Sequence, residues 1–133
     1  MIVLDTHVLV WTVSDDRKLG RKTRALIERL WGEGRVAVSA LSFWEVALLE
    51  ARGRLELPEP AASWRARLLG EGLSELPVDG AIGIRAVDLQ GLPSDPADRL
   101  ILATALHHRA ALVTADEPLL VWKHTLVRHD ARL

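Results

Sequence analysis

Cysteine is absent from the chain, which excludes a disulfide framework, a thiolate nucleophile and any zinc site built on sulfur. No uncharged apolar run approaches the roughly 20 residues that a membrane-spanning helix needs. Met1-Ile2-Val3-Leu4-Asp5 lacks a basic stretch leading into a long apolar segment, so no secretory leader is expected. A Gly-rich phosphate loop and a G-x-S-x-G elbow are both missing. Ser39 and Ser42 have no evident histidine base, which argues against a serine hydrolase. Nor does one sign of charge dominate: 17 Lys and Arg against 18 Asp and Glu leave a net −1, which speaks against a broad, non-specific nucleic-acid surface. What remains is the expectation of a soluble, cytoplasmic protein with no membrane contact. With 133 residues and 49% apolar content, residues 1–133 can bury the core of a single domain.

Five carboxylates stand where a plain globular fold has little use for them. Asp5 closes Ile2-Val3-Leu4, and Asp116 closes Leu112-Val113-Thr114-Ala115. Glu45 interrupts the apolar run Phe43 to Leu49, and Asp95 and Asp98 frame Asp95-Pro96-Ala97-Asp98-Arg99. An ionised carboxylate against apolar surface is costly unless it is paired, hydrogen-bonded or metal-bound. Several converging carboxylates repel one another, and a divalent cation is the simplest remedy. Hard oxygen donors of this kind suit Mg²⁺ or Mn²⁺.

Periodicity places these acids. Residues 2–5 read as a short buried strand, and a helix is expected after Asp5. Thr23, Leu26, Ile27, Leu30 and Trp31 recur at helical spacing, and Gly32 and Gly34 stop that helix. Val36 to Ser39 is a second strand. Ser42 and Glu45 form an S-x-x-E capping-box pattern for a helix running to about Arg52. A helix over about 60–70, a strand from Leu73 to Val78 and a short helix capped by Asp79 follow. Asp95-Pro96 opens a helix to about Arg109, since Asp suits the cap and Pro the first helical position. Ala111 to Thr114 is a strand, Glu117 to Val121 a short helix, and Thr125 to Val127 is expected as the last strand. Alternating strands and helices imply a parallel sheet covered on both faces, with ligands beyond the carboxyl ends of the strands. Asp5 and Asp116 lie at two such ends, and Glu45 closely follows a third.

Each acid taken singly has a structural explanation. Asp5 could cap the first helix, Glu45 could complete a box with Ser42, and Asp116 could be another cap. Asp98 could be the partner of the Asp95 cap, or pair with Arg99 or Arg109. Taken together, four accidents at one sheet edge are a poorer account than one site. Asp5, Glu45, Asp98 and Asp116 are therefore the candidate metal ligands and catalytic residues, with Asp95 capping its helix behind them. Thr6 and Thr114 are placed to orient a carboxylate or water. The basic segment Arg17, Lys18, Arg21, Lys22 and Arg24 is either a solvated helix face or a phosphate-backbone patch flanking the acids. His107 and His108 are adjacent on a helix and point about 100° apart. His7, His124 and His129 have no ligand spacing.

Five segments carry a resemblance: Leu4-Asp5-Thr6-His7, Ser39 to Ala47, Gly53-Arg54-Leu55-Glu56-Leu57-Pro58, Asp95 to Leu100, and Leu112 to Asp116. In this order the chain resembles the PIN-domain ribonucleases, and specifically the VapC-type toxins of type II toxin–antitoxin pairs. The resemblance implies a PIN-like three-layer α/β/α sandwich with a central, mostly parallel sheet. It also implies a Mg²⁺- or Mn²⁺-dependent endoribonuclease, a homodimer, and a cognate VapB-type antitoxin whose tail lies in an apolar groove. Trp11 and Trp44 are the candidates for lining that groove. The family's acidic positions fall on Asp5, Glu45, Asp98 and Asp116. Two positions depart from the pattern: Pro93 stands where many relatives have His, and Leu49 where relatives often carry Lys.

The leading expectation is thus an RNA-cleaving toxin working through metal-activated water. A catalytically silent PIN-like module that binds RNA or protein is the alternative, disfavoured by the intact acidic set. A response-regulator-like phosphoacceptor ranks last, because Asp5 stands alone after the first strand.

Overall fold

Ile2, Val3 and Leu4 are all buried, and they form β1 (Ile2–Leu4) at the centre of a five-stranded sheet. The structure is a computed structural model and describes residues 1–133. On one side β1 pairs with β2 (Val36–Ser39), and β2 with β3 (Ser74–Leu76). On the other it pairs with β4 (Ala111–Thr114), and β4 with β5 (Arg128–Asp130). Every pairing is parallel and the order is β3-β2-β1-β4-β5. The chain winds outward from β1 to β3, then returns to the far side of β1 for β4. That reversal makes the gap between β1 and β4 a switch point, where crevices form beyond the strand ends.

Period-two alternation divides the strand side chains between two cores. Ile2, Leu4, Val36, Val38 and Val113 meet Leu9, Ile27, Val46, Trp64 and Leu68, which belong to α1 (Thr6–Ser14), α2 (Arg21–Gly32), α3 (Ala40–Ala51) and α4 (Ala61–Gly70). Val3, Ala37 and Leu112 meet Ile101, Leu102 and Ala105 of α6 (Pro96–His107) and Leu119 of α7 (Glu117–Leu120). An α5 helix (Gly80–Asp88) lies on α6 through Ile82, Ala86 and Ala103. Each fully buried large aliphatic stabilises the fold by roughly 1.5–3 kcal/mol. The layers are helix, sheet, helix.

Two local expectations are corrected. Ser42 is not the cap of α3. That helix begins at Ala40, with Ser39 as its cap accepting from the Leu41 amide at 3.2 Å, and Ser42 lies buried inside its first turn. The capping-box role for Glu45 is thereby removed. The last strand is Arg128–Asp130 rather than 125–127, in register with Leu112 to Thr114. Leu126 and Val127 are the more apolar residues, but β5 is an edge strand, whose half-exposed positions do not demand an apolar run. The other segments fall within a residue or two of expectation, and the cap roles of Asp5, Asp79 and Asp95 are all present.

Candidate active site

The acids are set by the ends of elements. Asp5 leaves β1 in extended backbone and caps α1, its Oδ1 accepting from the Thr6 amide at 2.8 Å. Only 4% of it is exposed. A buried carboxylate needs partners, and Oδ2 finds one in the Thr114 hydroxyl at 2.7 Å. Thr114 ends β4, the strand beside β1, so the register itself delivers this bond across 109 residues. The same Thr114 oxygen accepts from the Asp116 amide at 3.0 Å, fixing the turn that carries Asp116.

Glu45 comes from the second turn of α3. The Thr6 hydroxyl donates to its Oε1 at 2.6 Å, and the Ser42 hydroxyl lies 2.9 Å from Thr6 Oγ1. Thr6 has one hydroxyl proton, so a consistent chain runs from Ser42 to Thr6 to Glu45. Asp98 lies in the first turn of α6. That turn is held by Asp95, whose Oδ1 accepts from the amides of Ala97 at 2.9 Å and Asp98 at 3.3 Å. Asp98 does not pair with Arg99 or Arg109. Arg99 points away and donates to the carbonyls of Ala86, Leu89, Leu92 and Pro93, pinning the loop before α6.

Asp5, Glu45, Asp98 and Asp116 all face one cleft of about 470 Å³, as does Thr6. Their electrostatics are those of a site short of positive charge. Burial, with repulsion from Asp5, Asp95 and Asp116 and a hydrogen bond to Asp116, pushes the Asp98 carboxyl up to about 7. Burial is also the main cause raising Glu45, opposed by the Thr6 hydroxyl and reinforced by the charges of Asp5 and Asp95. No three Asp, Glu or His groups are drawn together into a ready cage for an ion. Mg²⁺ keeps several waters and takes only one or two carboxylates directly. The four acids are the oxygen donors that could hold it.

The cleft contains two polar residues that were not placed there from sequence. His7 Nε2 accepts from the Ala115 amide at 3.1 Å, so its proton sits on Nδ1, which lies 3.7 Å from Asp5 Oδ2. Arg54 is the one lysine or arginine lining the cleft. Its signal was the Gly53-Arg54 pair just past α3, where a glycine closing the helix fixes the next residue's direction. Val10, Trp11, Leu49 and Leu55 form an apolar wall beside the acids. Trp44, by contrast, is 59% exposed and lies outside the cleft.

The basic segment is not brought into the cleft. Arg24 is tied to the Asp15 carboxylate and the Asp16 carbonyl, while Arg17, Arg21 and Lys22 are exposed and line no part of it. Lys18 alone approaches, its Nζ 5.9 Å from the centre of the Trp11 ring.

Comparison with known proteins gives consistent likenesses. The PIN domain family model matches residues 2–120. Ribonuclease VapC22 of Mycobacterium tuberculosis (strain ATCC 25618 / H37Rv) is 35% identical over 124 residues, covering 92% of each chain. Among solved structures, DNA-bound VapBC from Salmonella typhimurium superposes with a TM-score of 0.72 at 17% identity, covering 97% of this chain and 96% of that one. VapBC2 from Rickettsia felis bound to a promoter DNA fragment gives 0.71 at 19% identity, with 98% of both chains covered. At such identities the structural likenesses speak to the fold.

Proposed function

The chain belongs to the PIN-domain family, and on that premise we propose that it is a metal-dependent endoribonuclease, the toxin of a toxin–antitoxin pair silenced by a VapB-type antitoxin. The observation that carries this reading is the gathering of four carboxylates, from four separate segments, around one cleft beside the switch point. Burial and mutual repulsion raise the Asp98 carboxyl to about 7, and a cation bound beside these acids would relieve that repulsion.

A bound Mg²⁺ or Mn²⁺ would supply an activated water and offset charge on the phosphoryl oxygens. The residues' own parts follow from their bonds. Asp5 is locked by Thr6 and Thr114, so its carboxylate meets the incoming group without rearranging. Thr6 holds one oxygen of Glu45 and leaves the other free. Asp98 and Asp116 complete the acidic lining of the cleft. His7 fixes the backbone at Ala115 and thus the approach of Asp116. Arg17, Lys18, Arg21 and Lys22 form an outer basic face for the RNA backbone beyond the cut.

The test is incubation of the purified chain with total cellular RNA, with Mg²⁺, with Mn²⁺ and with EDTA, followed by mapping of new ends. Discrete new ends in metal, absent in EDTA and absent with Asp98→Asn, are expected. RNA that is bound but uncut in both metals overturns the reading in favour of a silent binding module.

A further inference from the structure

Arg54 shares a cleft with four carboxylates yet makes no salt bridge and no side-chain hydrogen bond. A guanidinium free to reach an acid 4 Å away would pair with it, as Arg65 and Arg67 do with Glu75 and Glu59 on the surface. Here the cation and the acids line one cleft without pairing. An anion bound between them would meet positive charge on one side and, on the other, the acids with whatever cation they hold.

The backbone explains why Arg54 stays in place. Past α3 the chain makes a Schellman turn: the Gly53 amide donates to the Glu50 carbonyl at 3.0 Å, and the Arg54 amide to the Leu49 carbonyl at 2.9 Å. Gly53 takes φ +69°, open to glycine without strain. In this motif the residue after the glycine packs over the helix's last turn, and both Leu49 and Arg54 line the cleft. Arg54 is therefore anchored to the same helix that carries Glu45, nine residues on, rather than to a loose loop. Arg54 is exposed, and Leu49 and Leu55 line the cleft with it, apolar surface along which an arginine stem can lie while its charged head stays in water.

We infer that Arg54 is the phosphate-binding residue of this site: its guanidinium takes the RNA phosphate group at the cut, or the one next to it, and holds it against the carboxylates. The inference rests on the ribonuclease reading above. A fork of N–H donors matches two phosphate oxygens, which a lone ammonium does not. Arg54 then supplies positive charge inside the cleft, which no residue of the basic segment lines.

The experiment uses the full chain and a short fluorescein-labelled synthetic RNA spanning a cleavage site mapped with the wild type. Arg54→Ala, Arg54→Lys and, as a control of equal charge change outside the cleft, Arg52→Ala are compared in Mg²⁺. Arg54→Ala is expected to raise KM about tenfold with a smaller change in kcat. Binding of the same RNA in an Asp98→Asn background should show a salt slope shallower by about 0.7, the mark of one lost phosphate contact on a single strand. Arg54→Lys should fall between, Arg52→Ala should match wild type, and all three should melt with it. Cleavage by Arg54→Ala with unchanged KM and salt slope overturns the inference alone. A wild type that cuts no RNA in either metal overturns the reading of the site and this inference with it.

Discussion

The Thr6 hydroxyl donates to Glu45 Oε1 across 2.6 Å, while the Thr6 amide donates to Asp5 Oδ1 at 2.8 Å. One residue thus holds two acids from different elements, with Ser42 packed behind it. Glu45→Gln keeps an acceptor for Thr6 and removes a charge that burial disfavours. In EDTA it should melt no lower than wild type, and it should gain less from added Mg²⁺. A marked loss in EDTA would show that Glu45 is needed as an anion to hold α3. Thr6→Val, which strands Ser42 and Glu45, should cost about 1–3 kcal/mol in urea unfolding.

Thr114 serves Asp5 and Asp116 together. Thr114→Val keeps the shape of the strand end but removes a donor to one acid and the acceptor that fixes the other. Loss of such supporting bonds behind metal ligands typically costs about 10–100-fold in activity or metal affinity. RNA cleavage and Mg²⁺ titration should both fall in that range with the fold retained. Wild-type cleavage by Thr114→Val would deny the bond any part in the site.

The raised carboxyl of Asp98 makes a pH prediction whose sign is fixed. In the unfolded chain Asp98 releases its proton near 3.8, and in the folded chain at about 7. Between those values the native state holds a proton that the unfolded state has lost, so its stabilising contribution is whole below about 4 and disappears as pH rises through 7. Without metal, the wild type should lose melting temperature from pH 5 to 7.5 relative to Asp98→Asn, which lacks this titration. Asp130 is shifted the opposite way by Arg132, but that contribution is lost only as pH falls below the ordinary carboxylate range. Parallel melting curves for the two proteins across this window would exclude the shift.

Two backbone positions test the packing that surrounds the site. A Cβ on Gly20 would lie 2.1 Å from the Leu133 carbonyl carbon, where the final residues accept the Gly20 and Thr23 amides and stand in for a side-chain cap on α2. Gly20→Ala should destabilise by about 1–3 kcal/mol, as overpacking does. Arg109 holds φ +52° at the turn from α6 into β4, a conformation that costs a non-glycine residue about 1 kcal/mol. Arg109→Gly should accordingly raise the urea midpoint slightly. A drop would mean that the arginine side chain stabilises the turn by more than its backbone strain costs.

Asp5, Asp79 and Asp95 as caps, the alternation of strand and helix, and the acids at strand ends were all legible in the sequence. Each is a local matter of hydrogen bonds within three or four residues, or of a period of 2 or 3.6. Ser42 misled for the same reason: S-x-x-E is a local pattern, and only the packing of α3 against α1 turned its serine inward to Thr6 and moved the cap to Ser39. β5 was misplaced because an edge strand is set by its register with β4 rather than by its own apolar content. That Asp5 meets Thr114, and so Asp116, depended on β4 returning beside β1, and no spacing along the chain encodes strand order. Arg54 joined the acids through the turn at Gly53, while the richer basic segment stayed outside. Short-range chemistry decided which residues could act. The pairing of β1 with β4 decided which ones meet, because contacts across a hundred residues form only when the layers on both faces of the sheet are packed.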